Sequence, residues 1–163
     1  MSRVQLAINV GDLDAAIEFY SKLFNAQPAK IRDGYANFAI AEPPLKLVLI
    51  AGSGTPGTLN HLGVEVMSQD EVGAAITRLQ GEGLATTVET NTSCCYAVQD
   101  KVWVHGPDAE PWEVYTVLAD APSMTKVAAA GESACCTPAP AAEAACCTPA
   151  ATETVSLTAK ACC

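Results

Sequence analysis

Apolar and polar side chains alternate along Gln5-Leu6-Ala7-Ile8-Asn9-Val10, and again 56 positions later along His61-Leu62-Gly63-Val64-Glu65-Val66. A period of two sends successive side chains to opposite faces, so each segment reads as a β-strand. The offset persists downstream, with Asp14 falling on Asp70, Lys22 on Arg78 and Leu23 on Leu79. After each strand the period becomes helical, over Leu13–Phe24 and Gln69–Gln80, with Asp12 and Ser68 placed to cap the two N-termini. Ala16, Ile17, Tyr20 and Leu23 form the apolar stripe of the first helix; Val72, Ala75, Ile76 and Leu79 form that of the second. Strands are predicted at 29–32, 35–40 and 46–50, then at 86–89, 97–105 and 112–117. Gly34, Pro43-Pro44, Gly52-Ser53-Gly54 and Gly106-Pro107-Asp108 punctuate them. The repeat therefore predicts an α+β fold of two βαβββ modules, about residues 3–51 and 59–118, which bury their sheets together and leave a cleft between them.

The composition changes at residue 119. All Trp, Tyr and Phe residues precede it, whereas 119–163 is rich in Ala, Thr and Pro, and ACCTPA occurs twice. Such a segment has too little apolar bulk to offset its ordering entropy, and it reads as a disordered tail. The net charge of −9 argues against nucleic acid or an anionic membrane surface as a partner. No apolar run is long enough to span a bilayer, and the first residues lack a secretory pattern, so a cytoplasmic location is expected.

All eight cysteines come in adjacent pairs: Cys94–Cys95, Cys135–Cys136, Cys146–Cys147 and Cys162–Cys163. A disulfide framework spreads its cysteines to close loops, but the first 93 residues hold none. Adjacent cysteines also bridge each other only with strain. The pairs therefore read as soft ligands in a reducing compartment. Two thiols can replace two hydroxyls on trivalent arsenic and leave its third substituent alone, which suits a monosubstituted arsenical. Neighbours on a strand point to opposite faces, so only a loop or bulge lets both thiols converge; the competing reading is two small buried hydrophobes.

Gln5 and His61 occupy equivalent positions on the first strand of each module, and Glu113 sits between Trp112 and Val114 on the last strand. Singly, each has an ordinary reading as a polar strand residue. Together, an amide oxygen, an imidazole and a carboxylate suit a divalent ion such as Fe(II), Mn(II), Ni(II) or Zn(II). Tyr96, Gln99, Asp100 and Lys101 are either polar strand positions or a second row that orients substrate. Trp103, Trp112 and Tyr115 read as core, with Trp103 or Tyr115 a secondary candidate for lining the cleft, and His105 as a turn residue.

The βαβββ repeat, the opening Gln5, the NHLG motif and the closing PWEVY resemble the vicinal oxygen chelate superfamily over about residues 1–118. That resemblance implies metal ligands at Gln5, His61 and Glu113. It also implies a site short of the fourth, glutamate ligand of glyoxalase I, since LKLVLI carries no carboxylate. Three protein ligands leave room for substrate and dioxygen, as in non-haem Fe(II) oxygenases. The stretch NTSCCYAVQDKVWV is similar to one subgroup, the C–As lyases, and to related cadmium-induced proteins. This implies an Fe(II)-dependent dioxygenase acting on trivalent organoarsenicals, methylarsenite and aromatic arsenicals among them. Gln5, His61 and Glu113 would be catalytic, Cys94 and Cys95 would hold the arsenic, and Tyr96 and Lys101 would be further substrate contacts. The alternatives are thiol sequestration of arsenic or cadmium without catalysis, and a glyoxalase-like metal lyase. The tail pairs would act as a thiol scavenger. One chain holding both halves can complete its own site, and a homodimer remains open.

Overall fold

The alternating and helical patterns resolve into ten elements in a computed structural model that describes residues 2–125. In chain order these are β1 (Arg3–Val10), α1 (Leu13–Phe24), β2 (Lys30–Arg32), β3 (Tyr35–Ile40) and β4 (Leu45–Ala51). There follow β5 (Leu59–Glu65), α2 (Gln69–Gly81), β6 (Thr87–Cys94), β7 (Ala97–His105) and β8 (Pro111–Asp120). The strands form one mixed eight-stranded sheet in the order β2-β3-β4-β1-β5-β8-β7-β6. β1 and β5 meet antiparallel at its centre, with Leu6 opposite Leu62, Gln5 opposite Gly63 and Ala7 opposite His61. A local two-fold axis through the Leu6–Leu62 pair is what the sequence offset of 56 expresses in space.

Parity along the strands divides the sheet into two faces. Leu6, Ile8, Val10, Phe38, Leu47 and Leu49 pack beneath Leu13, Ala16, Ile17, Tyr20 and Phe24 of α1. Val102, Val104 and Val114 pack beneath Ala75, Ile76 and Leu79 of α2. The other face is where the buried polar residues collect, among them Gln5, Asn9, Asn37, Lys46, Gln99, Lys101 and Glu113. Leu23, expected in the α1 stripe, is 58% exposed and Phe24 packs in its place. The inward row runs 13-17-20-24, and Leu23 lies to one side of it. Both caps form as expected: Asp12 Oδ1 accepts from Ala15 N at 3.0 Å and Ser68 Oγ from Glu71 N at 3.3 Å.

Two segments run further than the sequence suggested. β6 was expected to end near Glu89. It passes instead through a register shift between Glu89 and Thr92, with Asn91 at φ 51°, and continues to Cys94. A bulge breaks the alternation that would have revealed the rest of the strand. β8 reaches Asp120, beyond the composition change, and 121–124 then turn back under the β6–β7 hairpin. Ala121 N donates to Tyr96 O at 3.0 Å, Ser123 O accepts from Tyr96 N at 3.1 Å, and Met124 O accepts from Cys95 N at 3.2 Å. The three later cysteine pairs, and the disorder expected around them, lie outside the described residues. Among the described residues, no helix is long and apolar enough to cross a membrane.

Candidate metal and thiol site

Gln5 on β1, His61 on β5 and Glu113 on β8 converge as their positions predicted, although 108 residues separate the outer two. Gln5 Nε2 lies 2.9 Å from His61 Nε2 and donates to Glu113 Oε1 at 2.9 Å; His61 Nε2 and Glu113 Oε1 are 3.4 Å apart. The register explains the meeting. Gln5 is level with Gly63, and Gly63 with Glu113. A Cβ on Gly63 would come within 3.2 Å of both Gln5 Cβ and Glu113 Cγ. The glycine of the HLG motif is therefore the gap through which the two flanking side chains reach each other.

Around this triangle a shell of hydrogen bonds fixes each member. Asn60 Nδ2 donates to Asn9 Oδ1 at 2.8 Å and to Ser53 Oγ at 3.1 Å, which turns Asn60 Oδ1 towards His61 Nδ1 at 2.7 Å. An amide oxygen can only accept, so Nδ1 carries a proton and the ring turns Nε2 to the cavity. Tyr115, read from sequence as core, is fully buried and also donates its hydroxyl to Gln5 Oε1 at 2.5 Å. Glu113 Oε2 accepts from Lys101 Nζ at 2.7 Å, leaving Oε1 for the triangle. Burial pushes the Glu113 carboxyl up, but the neighbouring His61 ring and the Lys101 ammonium outweigh it and hold the group below its ordinary value. Burial likewise disfavours the Lys101 charge, and Glu113 more than restores it.

The three donors fit a metal. Adjacent ligands of an octahedral ion at about 2.1 Å lie about 3.0 Å apart, close to the edges of this triangle. Half a turn of the Gln5 amide brings Oε1 to the vertex. The Tyr115 hydroxyl, which both donates and accepts, can follow that change. Among the described residues no three His, Cys, Asp or Glu side chains gather as a metal-binding group, so the third donor here has to be the amide. In the first module Val48 stands beside Ala7 as Glu113 stands beside Gly63. The local two-fold thus places a buried valine where a fourth carboxylate would be.

Cys94 ends β6 and pairs with Ala97, leaving Cys95 and Tyr96 as a two-residue turn with φ 55° and 60°. Positive φ at both central residues is the type I′ geometry that suits the twist of a hairpin. It also resolves the convergence problem posed by adjacent cysteines. The reversal after Cys94 brings Cys95 Sγ within 3.0 Å of Cys94 Sγ, and both line the cavity that Gln5, His61 and Glu113 line. The hydrogen bond from Cys95, aided by the Lys101 charge, lowers the Cys94 thiol to about 6, while Cys95 is pushed up and keeps its proton. The pair thus holds one shared thiolate. Tyr96 anchors the turn: its hydroxyl donates to Asp33 O at 3.0 Å and its ring packs on Tyr35 at 5.6 Å.

The cavity holds about 490 Å³. Trp103 lines it and meets the His61 ring edge-on at 5.6 Å. Gln99 lines it too, and its buried Oε1 has no hydrogen-bond partner among the described residues. Asp100 does not join the cavity wall; it accepts from Gln69 Nε2 at 2.5 Å and from Asn91 N at 2.6 Å, which ties the β6 bulge to α2. His105 is exposed at the end of β7, as a turn residue should be. Asn9 and Tyr115 have the inward parity of Gln5 and Glu113, whereas Asn60 has the opposite parity to His61 and reaches the cavity only through the β1–β5 register shift, which the sequence did not signal.

Residues 3–114 match the family described as the Glyoxalase/Bleomycin resistance protein/Dioxygenase superfamily. The chain is 65% identical over 139 residues to a trivalent organoarsenical cleaving enzyme of Thermomonospora curvata, covering 85% of this chain and 90% of that one. It is 69% identical over 120 residues to the cadmium-induced protein CadI of Mycobacterium bovis, covering 74% and 79%. An extradiol ring-cleaving dioxygenase from B. fuscum shares the fold at a TM-score of 0.53 and 17% identity, over 75% of this chain and 34% of that one. A Mn(II)-bound glyoxalase from Novosphingobium aromaticivorans does so at 0.53 and 19%, over 74% and 42%.

Proposed function

Since the chain belongs to the Glyoxalase/Bleomycin resistance protein/Dioxygenase superfamily, we propose that its cavity cleaves the carbon–arsenic bond of trivalent organoarsenicals with dioxygen. The observation that carries this reading is the shared cavity: two thiols 3.0 Å apart face the same space as the Gln5, His61 and Glu113 triangle. The name of the Thermomonospora curvata relative supports the substrate class.

Cys94 and Cys95 bind the arsenical by exchange. Each sulfur replaces one hydroxyl of R–As(OH)2, and two waters leave, so the organic group stays on an arsenic fixed at the hairpin tip. The Cys94 thiolate attacks first, because the thiolate is the nucleophile, and the first hydroxyl leaves as water by taking a proton from solvent. The Cys95 proton then leaves with the second hydroxyl as water. Gln5, His61 and Glu113 would hold a divalent iron, which when bound supplies the activation of dioxygen beside the arsenic-bound carbon. Asn60 keeps His61 Nε2 directed at the site, and Lys101 holds Glu113 to one free oxygen. For a methyl substrate the overall reaction balances without another reductant: CH3As(OH)2 and dioxygen give formaldehyde and As(OH)3. The valine at position 48 leaves open the place that a fourth carboxylate would take.

A second reading is thiol sequestration of a soft ion without turnover. The relative named as cadmium-induced favours it, as does the single thiolate shared by the pair. Oxygen uptake separates the two readings. The reduced protein is loaded anaerobically with Fe(II), given methylarsonous acid and then exposed to air. Dioxygen consumed in step with arsenite release supports cleavage; arsenical bound with neither signal supports sequestration. Mn(II) and Zn(II) loading in parallel tests whether iron is the working metal.

A further inference from the structure

Four cationic side chains line the cavity, Arg3, Lys30, Lys46 and Lys101, against two carboxylates, Glu65 and Glu113. Two of the cations are matched. Lys101 has Glu113 at 2.7 Å, and Lys30 is ion-paired at the rim with Asp120. The other two share one partner: Arg3 Nε bonds Glu65 Oε2, and Lys46 Nζ bonds Glu65 Oε1 at 2.9 Å. The cluster of Arg3, Lys46 and Glu65 therefore carries one positive charge more than its carboxylate balances, and the cavity's remaining anion, the Cys94 thiolate, sits by Lys101 and is neutralised once it bonds arsenic. The Lys46 side chain is 10% exposed and that of Arg3 26%. Burial lowers the Lys46 pKa, and Glu65 restores it only in part. A buried charge without a full partner is costly and calls for one.

The cluster adjoins the triangle. Arg3 lies two residues before Gln5 on the same face of β1, about 6.6 Å along the strand. Lys46 is the β4 neighbour of Gln5, with its ammonium 5.0 Å from the Tyr115 ring centre. Both side chains carry N–H donors beyond those that Glu65 accepts. Thiol exchange does not balance the surplus: the adduct of R–As(OH)2 with both sulfurs is neutral, so the Cys94 thiolate charge is gone once arsenic is bound. Among the parts of the substrate, only the organic group is left to carry a counter-charge.

We propose that Arg3 and Lys46 form a subsite for an anionic group, a carboxylate or phenolate, on the organic part of the arsenical held by Cys94 and Cys95. This rests on the cleavage reading for its substrate. A purely structural trio would not discriminate between substituents.

The test uses equilibrium binding to the reduced full chain, followed by Trp fluorescence. The probes are 3- and 4-carboxyphenylarsonous acid, their neutral carbamoyl counterparts and phenylarsonous acid. Wild type should bind a carboxylate probe on the order of tenfold tighter than its carbamoyl counterpart. Lys46→Met should erase that advantage and leave the phenyl affinity unchanged, while Lys46→Arg should keep it. Equal affinities in wild type, or an advantage that survives in Lys46→Met, would overturn the subsite. If Lys46→Met does not fold, the wild-type comparison and Lys46→Arg still decide. The oxygen-uptake assay is read separately. Phenylarsonous acid cleaved without any carboxylate preference removes only the subsite; a preference without cleavage of any probe removes the enzymatic reading and leaves the anion site.

Discussion

Gly63 shows how one missing methyl group organises the site. It lies level with Gln5 on one side and Glu113 on the other, and a Cβ there would press within 3.2 Å of each. Gly63→Ala should therefore cost about 1–3 kcal/mol through overpacking. It should also blunt the rise in Tm that Fe(II) produces in wild type. An unchanged metal-induced Tm shift would show that the glycine does not govern the donor spacing. The thiol pair makes a prediction at the same scale. With the Cys94 thiol lowered to about 6, its thiolate fraction grows as pH rises through that value. Iodoacetamide alkylation, mapped by mass spectrometry, should modify Cys94 before Cys95 with a midpoint near pH 6. A midpoint near 8.5, the ordinary thiol value, would argue against the shared thiolate.

At the scale of elements, the β6–β7 hairpin accepts strain for geometry. Two non-glycine residues sit at φ 55° and 60°, where an L-residue costs about 1–2 kcal/mol. Cys95→Gly should thus leave urea stability at or above wild type while abolishing tight arsenical binding. A large loss of stability would mean that the cysteine is there for packing. β4 carries the complementary prediction. Val48 is the two-fold counterpart of Glu113, so Val48→Glu should add a fourth carboxylate. The metal-free variant should be less stable, because the new charge is buried. Its Tm gain on metal loading should exceed that of wild type, and oxygen uptake should fall at least about tenfold as an open position closes. Retained oxygen uptake would count against Val48 as the marker of a three-ligand site.

For the whole molecule, the two modules share one sheet, and Gln5 from the first meets His61 and Glu113 from the second. A single chain therefore assembles the triangle without a partner's help. The strap after β8 is part of that assembly. Residues 121–124 bond the turn at Cys95 and Tyr96, and Met124 packs against the same buried cluster as Cys95. A chain ending at Thr125 should keep wild-type affinity for one equivalent of phenylarsonous acid. A chain ending at Asp120 should bind it much more weakly. Equal affinities would mean that the strap does not position the turn. The scavenging role expected of the tail is then read as the number of arsenic equivalents lost on cutting at Thr125.

The sequence by itself determined the two modules, most of the strand faces and the equivalent places of Gln5 and His61. Each of these follows from local period and from a repeat that survives as an offset of 56 between Gln5 and His61. It also carried the thiol pair and the missing fourth carboxylate, because identity at a position is enough for both. What tertiary structure decided was convergence. The bulge near Asn91 hid the end of β6, so that Cys94–Cys95 read as a loop rather than a hairpin turn. The partners of His61, Gln5 and Glu113 come from strands far apart in the chain, where polarity marks a face but not a neighbour. The charge left over at Arg3 and Lys46 is likewise invisible until pairing is known. Net charge is a sum over residues, whereas the charge that a cavity lacks depends on which residues meet.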